Sequence, residues 1–222
     1  MPTASASVLS VNVGAPARRP FASRDVTGID KRPVDAIEVR DPGPKDGGLG
    51  SGVVADAVGD RRHPGGFTQA IYAYAREDLD WWQERLGRPL RHGIFGENVT
   101  TVGVDCTTAL VGELWRIGEV VLRVQGPRIP CATFAGHLGE RRWVKRFTEV
   151  GRTGAYLSVV VGGTVRPGGA IEVERPEHDI DLLTTFRALT GDLPAAERVL
   201  DAAVLHESEH AALARTVRAR DR

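Results

Sequence analysis

The fold of this chain is decided by one stretch, ELWRIGEVVLRVQGPRIPC at residues 113–131. Apolar residues recur on both sides of Gly118, which predicts two β-strands joined by a tight turn. The second strand runs directly into the segment GPRIPC at residues 126–131. Because its two prolines restrict the backbone around Arg128, this segment is a rigid loop that presents Cys131 at its end.

Further strands are predicted on both sides of this stretch. Helical spacing interrupts them twice, at Arg76–Leu86, where Leu79 and Trp82 share a face, and at 138–150. Many short strands with glycine turns favour a closed, mostly antiparallel β barrel over residues 8–175. A dinucleotide-binding domain is not expected, because neither regular strand–helix alternation nor a phosphate fingerprint is present. The predicted strands are VLSVNV at 8–13, a segment containing Ile37 and Val39, QAIYAYA at 69–75, AYLSVVV at 155–161 and AIEVE at 170–174.

The character of the sequence changes after Pro176. Leucine and phenylalanine follow helical spacing from residue 182, and Asp192 with Pro194 is typical of a helix start. We therefore expect a β-barrel domain at residues 1–176 and a small three-helix appendage at residues 177–222.

Charge and cysteine content exclude several classes of protein. The chain has 29 basic and 29 acidic residues, so no overall field attracts nucleic acid or an anionic membrane. It has two cysteines, which stand in no CxxC arrangement, and a disulfide framework is not expected. The first residues, MPTASASVLSVNVG, do not resemble a signal peptide, and no stretch has the length of a membrane span. These features predict a cytoplasmic protein.

Cys131 is the leading candidate for chemistry. A guanidinium at Arg128 would favour its thiolate, the form of cysteine that attacks electrophiles and binds metals. A buried structural cysteine is the alternative, since free cysteine often behaves as a small core residue. For Cys106, in a less constrained loop, we expect the structural role.

A family resemblance favours the chemical role. The segments GENVTT at 96–101, LVGELWRIGEVVLRVQGPRIPC at 110–131 and GRTGAYL at 151–157 resemble the MOSC family, named for the C-terminal domain of molybdenum cofactor sulfurases. The similarity extends from VLSVNVG through TGIDKRPV and QAIYAYAREDLDWW to the tail, in the arrangement of the stand-alone YiiM-like branch. It implies a β barrel, a pterin-based molybdenum cofactor, and a cysteine, here Cys131, that ligates molybdenum or accepts sulfur.

The resemblance also suggests residues that would hold the cofactor. Polar groups of the GENVTT segment would hydrogen-bond the pterin edge or organise their own loop. The two arginines suit a phosphate or metal oxo group, because a guanidinium binds anions through two parallel hydrogen bonds. The candidates are Gly96, Glu97, Asn98, Thr100, Arg128 and Arg152.

One departure from the family pattern concerns a histidine. Family members commonly carry His-Gly-Gly before the QAIYAY-like strand, whereas this chain has Pro64-Gly65-Gly66 with His63 one place earlier. We predict that the proton-handling role has moved to His63 or has been lost.

Three functions follow from the resemblance. The first is a molybdenum-dependent reductase of small N-hydroxylated or N-oxide compounds, which needs a separate electron-donor protein. The second is sulfur transfer or specialised-metabolite chemistry through Cys131 without molybdenum, and the third is a non-catalytic cofactor carrier. A homodimer is compatible with each.

Overall fold

The computed structural model describes residues 6–21, 26–57 and 66–220. Within those ranges the strands are β1 Ser7–Gly14, β2 Ala17–Arg18, β3 Val26–Thr27, β4 Lys31–Val34, β5 Ile37–Val39, β6 Ile71–Ala75, β7 Val99–Val102, β8 Leu114–Ile117, β9 Val120–Gly126, β10 Ala155–Val161, β11 Gly163–Val165 and β12 Glu172–Glu174. The helices are α1 Arg76–Leu86, α2 Ala132–Leu138, α3 Trp143–Val150, α4 Leu182–Thr190, α5 Leu193–Ala202 and α6 Glu207–Arg220, with a 3₁₀ turn at Phe67–Gln69. None of these helices is both long and apolar enough to cross a membrane.

The main sheet has eight strands in the order β12-β8-β9-β10-β6-β7-β1-β4. Its pairs are antiparallel except for β6 and β7, which run parallel. α1 connects these two strands, as a parallel pair requires a crossover. The sheet is therefore mixed, and mostly antiparallel as predicted.

Closure of this sheet into a barrel remains a prediction. The strand order ends at β12 and β4, with no regular ladder between them in the described residues. However, the turn before β12 bonds to the start of β1: Val8 N donates to Gly169 O at 2.9 Å, and Ile171 N donates to Ala6 O at 2.8 Å. β5 and β11 pair separately as a two-stranded sheet.

The helices predicted from periodicity are partly correct. α1 has the predicted bounds, and Gly87 ends it in the left-handed conformation. The helix predicted at 138–150 begins later, at Trp143, and a further helix that was not predicted, α2, precedes it and ends before Gly139, whose φ is 68°. Glycine tolerates this positive φ, so the backbone leaves the first helix there and starts a second.

The hydrophobic side chains form two clusters. The larger consists mainly of side chains from strands, such as Val8 and Leu122, and also includes Leu182, Val199 and Leu213 from the C-terminal helices. The smaller, which we call the aromatic cluster, packs α1, α2 and α3 on β6 and contains Tyr72, Tyr74, Trp82, Phe95, Phe134, Trp143 and Phe147.

The C-terminal segment contains the three predicted helices. The side chain of Asp181 accepts from Thr184 N at 2.7 Å, and that of Asp192 from Ala195 N at 3.1 Å, so both cap their helices. The domain boundary at residue 176 stays a prediction, since the helices share their core with the sheet.

Candidate functional site

Cys131 is exposed, at the junction of the loop after β9 with α2. Its backbone is extended, with φ −132° and ψ 171°, and it occupies the position just before the first turn of α2. The buried alternative is therefore excluded for Cys131. Cys106, in contrast, has no exposed surface, and burial raises the pKa of its thiol well above the usual range. The two cysteines thus differ as the sequence predicts.

Arg128 lies buried in the same loop. Its Nη1 donates to Phe95 O at 2.7 Å, and its guanidinium carbon is 4.9 Å from the centre of the Tyr72 ring and 4.3 Å from that of Phe134. Burial favours loss of its charge, but the combined fields of Tyr156, Tyr72 and Cys131 raise its pKa overall. Arg128 is therefore a fixed cation within electrostatic reach of Cys131.

The GENVTT segment reaches this arginine through Gly96. Gly96 has a φ of 79°, and a Cβ there would lie 3.3 Å from Arg128 Nη1 and 3.1 Å from Ile29 Cγ1. Glycine is needed at this position for both its backbone conformation and the close approach. Gly96 and Arg128 are therefore two predicted cofactor-binding residues that lie side by side in the structure.

The carboxylate of Glu97 points into the protein. It accepts hydrogen bonds from the backbone nitrogens of Gly93 and Phe95, the latter at 3.0 Å, and from Thr100 Oγ1 at 3.1 Å. Burial raises its pKa, while these donors oppose that shift. Glu97 and Thr100 therefore organise the loop, which is one of the two roles predicted for them.

Asn98 belongs to a buried network that sequence reasoning missed. Its amide Nδ2 donates to Asp56 Oδ2 at 3.0 Å, and its Oδ1 accepts from Tyr72 N at 3.2 Å. Asp56 also binds the ammonium of Lys31 and accepts from Ser51 Oγ at 3.1 Å. We call these four side chains, Lys31, Ser51, Asp56 and Asn98, the Asp56 network.

The network contains a charged lysine in the interior. Burial lowers the pKa of Lys31, an effect that its contact with Asp56 opposes. The resemblance included Lys31 within TGIDKRPV, but no local pattern indicated Asp56, which is 25 positions away along the chain. The network fixes the start of β4 against the GENVTT segment.

Arg152 is committed to a different partner. Its guanidinium pairs with Asp78 on α1, and its carbon lies 4.9 Å from the centre of the Trp81 ring. Burial raises the pKa of Asp78 to about 6, although the arginine opposes the shift. Arg152 is therefore held beside α1, whereas Arg128 contacts the GENVTT segment. His63, the other predicted catalytic residue, lies outside the described residues.

These side chains suit a metal that brings its own further ligands. Within residues 6–21, 26–57 and 66–220, no group of three His, Cys, Asp or Glu residues could hold a metal ion. An exposed thiol and a fixed guanidinium within electrostatic reach of it offer one soft ligand and one positive charge, which suit a pterin-bound molybdenum and its anionic groups. Cys131 and Arg128 therefore fit the implied cofactor.

The chain is similar to several known proteins. The family model for the MOSC domain matches residues 60–172. The uncharacterized protein YflK of Bacillus subtilis (strain 168) is 33% identical over 207 residues, 91% of this chain and 90% of that protein. The crystal structure of YiiM from Geobacillus stearothermophilus has a TM-score of 0.75 and 25% identity, and the match covers 96% of this chain and 99% of that one.

A protein named reductase is also similar. It comes from Gibberella moniliformis (strain M3125 / FGSC 7600) and is 28% identical over 144 residues, 63% of this chain. The matched region is 26% of that longer protein.

Proposed function

Because the chain belongs to the MOSC domain family, we propose that it binds a pterin-based molybdenum cofactor at Cys131 and reduces small N-hydroxylated or N-oxide compounds. The observation that carries the proposal is the exposed Cys131 at the end of a proline-fixed loop, with the buried cation of Arg128 within electrostatic reach. The relative from Gibberella moniliformis is named a reductase, and this name supports a reductase function for the present chain.

In this proposal Cys131 is the protein's ligand to the metal. A thiolate is a soft ligand of the kind molybdenum accepts, and a loop held by two prolines keeps the sulfur in place. When bound, the molybdenum would supply the change of oxidation state that a reduction requires.

Arg128 stabilises negative charge beside Cys131. Its guanidinium cannot turn away, because one nitrogen is bonded to Phe95 O and the plane lies between two aromatic rings. A charge held in place before the ligand arrives costs no reorganisation on binding. Gly96, Glu97, Asn98 and Thr100 act by shaping the loop against which the cofactor would lie. His63 would donate one of the two protons that the two-electron reduction of an N–O bond to an amine and water consumes.

We propose that the electrons come from a separate donor protein. The chain has two cysteines, one of them fully buried, and an iron–sulfur cluster needs four ligands. The partners we propose are therefore a small-molecule substrate and an electron-donor protein.

An exposed thiol also suits a second function, sulfur transfer through Cys131 without molybdenum. The substitution of proline for the usual family histidine at Pro64 favours it, because the ordinary proton donor is not in its usual place. In this case the thiolate of Cys131 would attack the outer sulfur of a persulfide on a donor, which leaves as a thiol, so that Cys131 carries the sulfur as a persulfide.

The test is metal and pterin analysis of Cys131→Ser, made in a host that synthesises the cofactor. Serine replaces a soft ligand with a hard, poorly ionised hydroxyl, so molybdenum should largely disappear while the fold survives. Because Cys131 is exposed, the free energy of unfolding of the variant should stay within about 0.5 kcal/mol of that of the wild type. Cys106→Ala is the matched control and should keep its molybdenum.

Turnover with a chemical electron donor separates the three functions. Molybdenum with turnover supports the reductase, and molybdenum without turnover indicates a carrier. Wild-type protein that binds no molybdenum but accepts sulfur on Cys131 supports the second function. Full activity of Cys131→Ser would overturn both enzymatic proposals.

A further inference from the structure

Three arginines converge on one carboxylate near the Cys131 site. Asp30 Oδ1 binds Arg91, and its Oδ2 lies 3.3 Å from an Arg32 nitrogen and 3.5 Å from an Arg19 nitrogen. We call these four residues the Asp30 cluster. Three guanidiniums and one carboxylate leave two positive charges uncompensated within the cluster, in a chain whose net charge is zero.

Arg91 is held in place by more than its carboxylate. Its Nη1 also donates to the backbone carbonyls of Lys31 and His92, the latter at 2.8 Å. Gly93 allows this approach: its φ is 76°, and a Cβ there would lie 2.5 Å from Lys31 O. Because its guanidinium is already positioned, little side-chain freedom would be lost when an anion binds.

The cluster is open to solvent. The side chain of Arg32 is 64% exposed, that of Arg19 is 43% exposed, and that of Asp30 is 23% exposed. Ion pairs this exposed contribute little to stability, so a purely structural role would not need three cations. Their shared property is an accessible, excess positive charge.

The cluster adjoins the Cys131 site through the loop that follows Arg91. Ile94 O lies 3.0 Å from His137 Nε2 on α2, and the next carbonyl, Phe95 O, accepts from Arg128. Burial lowers the pKa of His137, and the charges of Asp30, Arg91 and Arg128 also act on it. His137 is therefore within electrostatic reach of both the cluster and the Cys131 site.

We propose that the Asp30 cluster is a binding site for the phosphoryl group of a small molecule whose other end reaches Cys131. A phosphate monoester carries about −1.5 to −2 charges at pH 7 and three acceptor oxygens, which matches two uncompensated charges on three guanidiniums. Guanidiniums bind such oxygens through paired hydrogen bonds. Asp30 competes with such a ligand for the three arginines.

The ligand is the phosphoryl group of the proposed cofactor or of a phosphorylated substrate. The first source rests on the proposed function, whereas the anion site itself rests on the arginines. The two arginines that sequence analysis offered for a phosphate are engaged elsewhere, Arg128 with Phe95 O and Arg152 with Asp78.

The test measures binding of inorganic phosphate to the full chain, made in a host without the cofactor. The rise of the melting temperature with phosphate is followed at constant ionic strength, with chloride as the reference salt. Arg32→Gln should weaken phosphate binding roughly three- to fivefold, the factor for one partly exposed ion pair. Asp30→Asn should tighten it, because the competing carboxylate is removed.

Arg116→Gln is the matched control. Arg116 is an exposed arginine on β8 that pairs with Glu174 at 3.1 Å, so its loss removes an equivalent surface charge outside the cluster. It should leave phosphate binding unchanged. Equal phosphate binding in wild type, Arg32→Gln and Asp30→Asn, or an equal effect of chloride, would overturn the proposal.

Pterin content then identifies the source of the phosphoryl group. If Arg32→Gln made in a cofactor-synthesising host loses pterin, the group belongs to the cofactor. If pterin is retained while phosphate binding is weakened, the group belongs to a substrate. Since phosphate binding is measured without cofactor, it can fail while Cys131 still binds molybdenum, and it can succeed if Cys131 does not.

Discussion

Asp56 and Asp78 are both buried carboxylates beside a cation, yet their surroundings differ. Asp56 accepts from Lys31, Ser51, Asn98 and the backbone nitrogen of Gly14. Asp78 pairs with Arg152 through Oδ1, whereas its Oδ2 is buried without a hydrogen-bond partner in the described part of the chain. A fully satisfied carboxylate fixes a structure, while a half-satisfied one retains a cost that protonation can relieve. The first region is a rigid support for the GENVTT segment, and the second is sensitive to pH.

The largest effect should come from removing Asp56. Asp56→Ala leaves the ammonium of Lys31 buried without its counter-ion, which costs about 3–5 kcal/mol of unfolding free energy. Urea unfolding measures the loss. Asp56→Asn combined with Lys31→Met removes both charges but keeps an acceptor oxygen for the other donors, so it should recover most of the loss. A loss below about 1 kcal/mol in the single variant would show that Asp56 does not compensate Lys31.

A smaller, pH-dependent effect is expected at Asp78. Its pKa in the folded protein is about 6, above the usual 3.8, so the folded state holds this proton more tightly than the unfolded state does. The stability that it contributes is therefore fully present below pH 4 and is lost as the pH rises through 6. The loss is on the order of 2–3 kcal/mol for a side chain this buried.

Asp78→Asn removes that titration. As the pH is raised from 4 to 7, the free energy of unfolding of the wild type should fall relative to that of Asp78→Asn. Parallel pH profiles for the two proteins would show that Arg152 compensates Asp78 as completely as the network compensates Asp56.

The smallest effect should come from Arg85, which contacts Trp81 at the surface beside Arg152 and Asp78. The guanidinium of Arg85 lies 3.4 Å from the centre of the Trp81 ring, the same side chain that Arg152 approaches at 4.9 Å. Arg85→Ala should cost about 0.5–1 kcal/mol, as expected for an exposed cation–π contact. A loss above about 2 kcal/mol would mean that the contact between Arg85 and Trp81 also helps to position Arg152 beside Asp78.

Local patterns predicted the parts of the molecule that depend on local sequence. The bounds of α1 followed from the spacing of Leu79, Trp82 and Leu86, and the exposure of Cys131 agrees with its place after Pro130. The helix α2 was not predicted, and the helix predicted from Leu138 begins only at Trp143, beyond the turn at Gly139. A glycine that ends one helix can look like a residue inside a longer one.

The polar contacts of the site were not predictable in the same way. Asp56 and Asn98 are 42 positions apart along the chain, and Arg152 and Asp78 are 74 apart. Residues so distant in sequence form no local pattern from which their contact could be predicted. The resemblance located Arg152 and Asn98 as matched positions, but it did not indicate their partners. Glu97 and Thr100 were assigned two roles, and the structure shows the loop-organising one.

The shared core of the sheet and the C-terminal helices also matters while the protein is being made. A ribosome releases the strands first, and the core that they share with the C-terminal helices stays incomplete until Leu182, Val199 and Leu213 emerge. An incomplete apolar core on a nascent chain is open to aggregation and to chaperones. A premature stop codon within the last three helices would therefore yield an aggregation-prone polypeptide, even though Cys131 and Arg128 had already been translated.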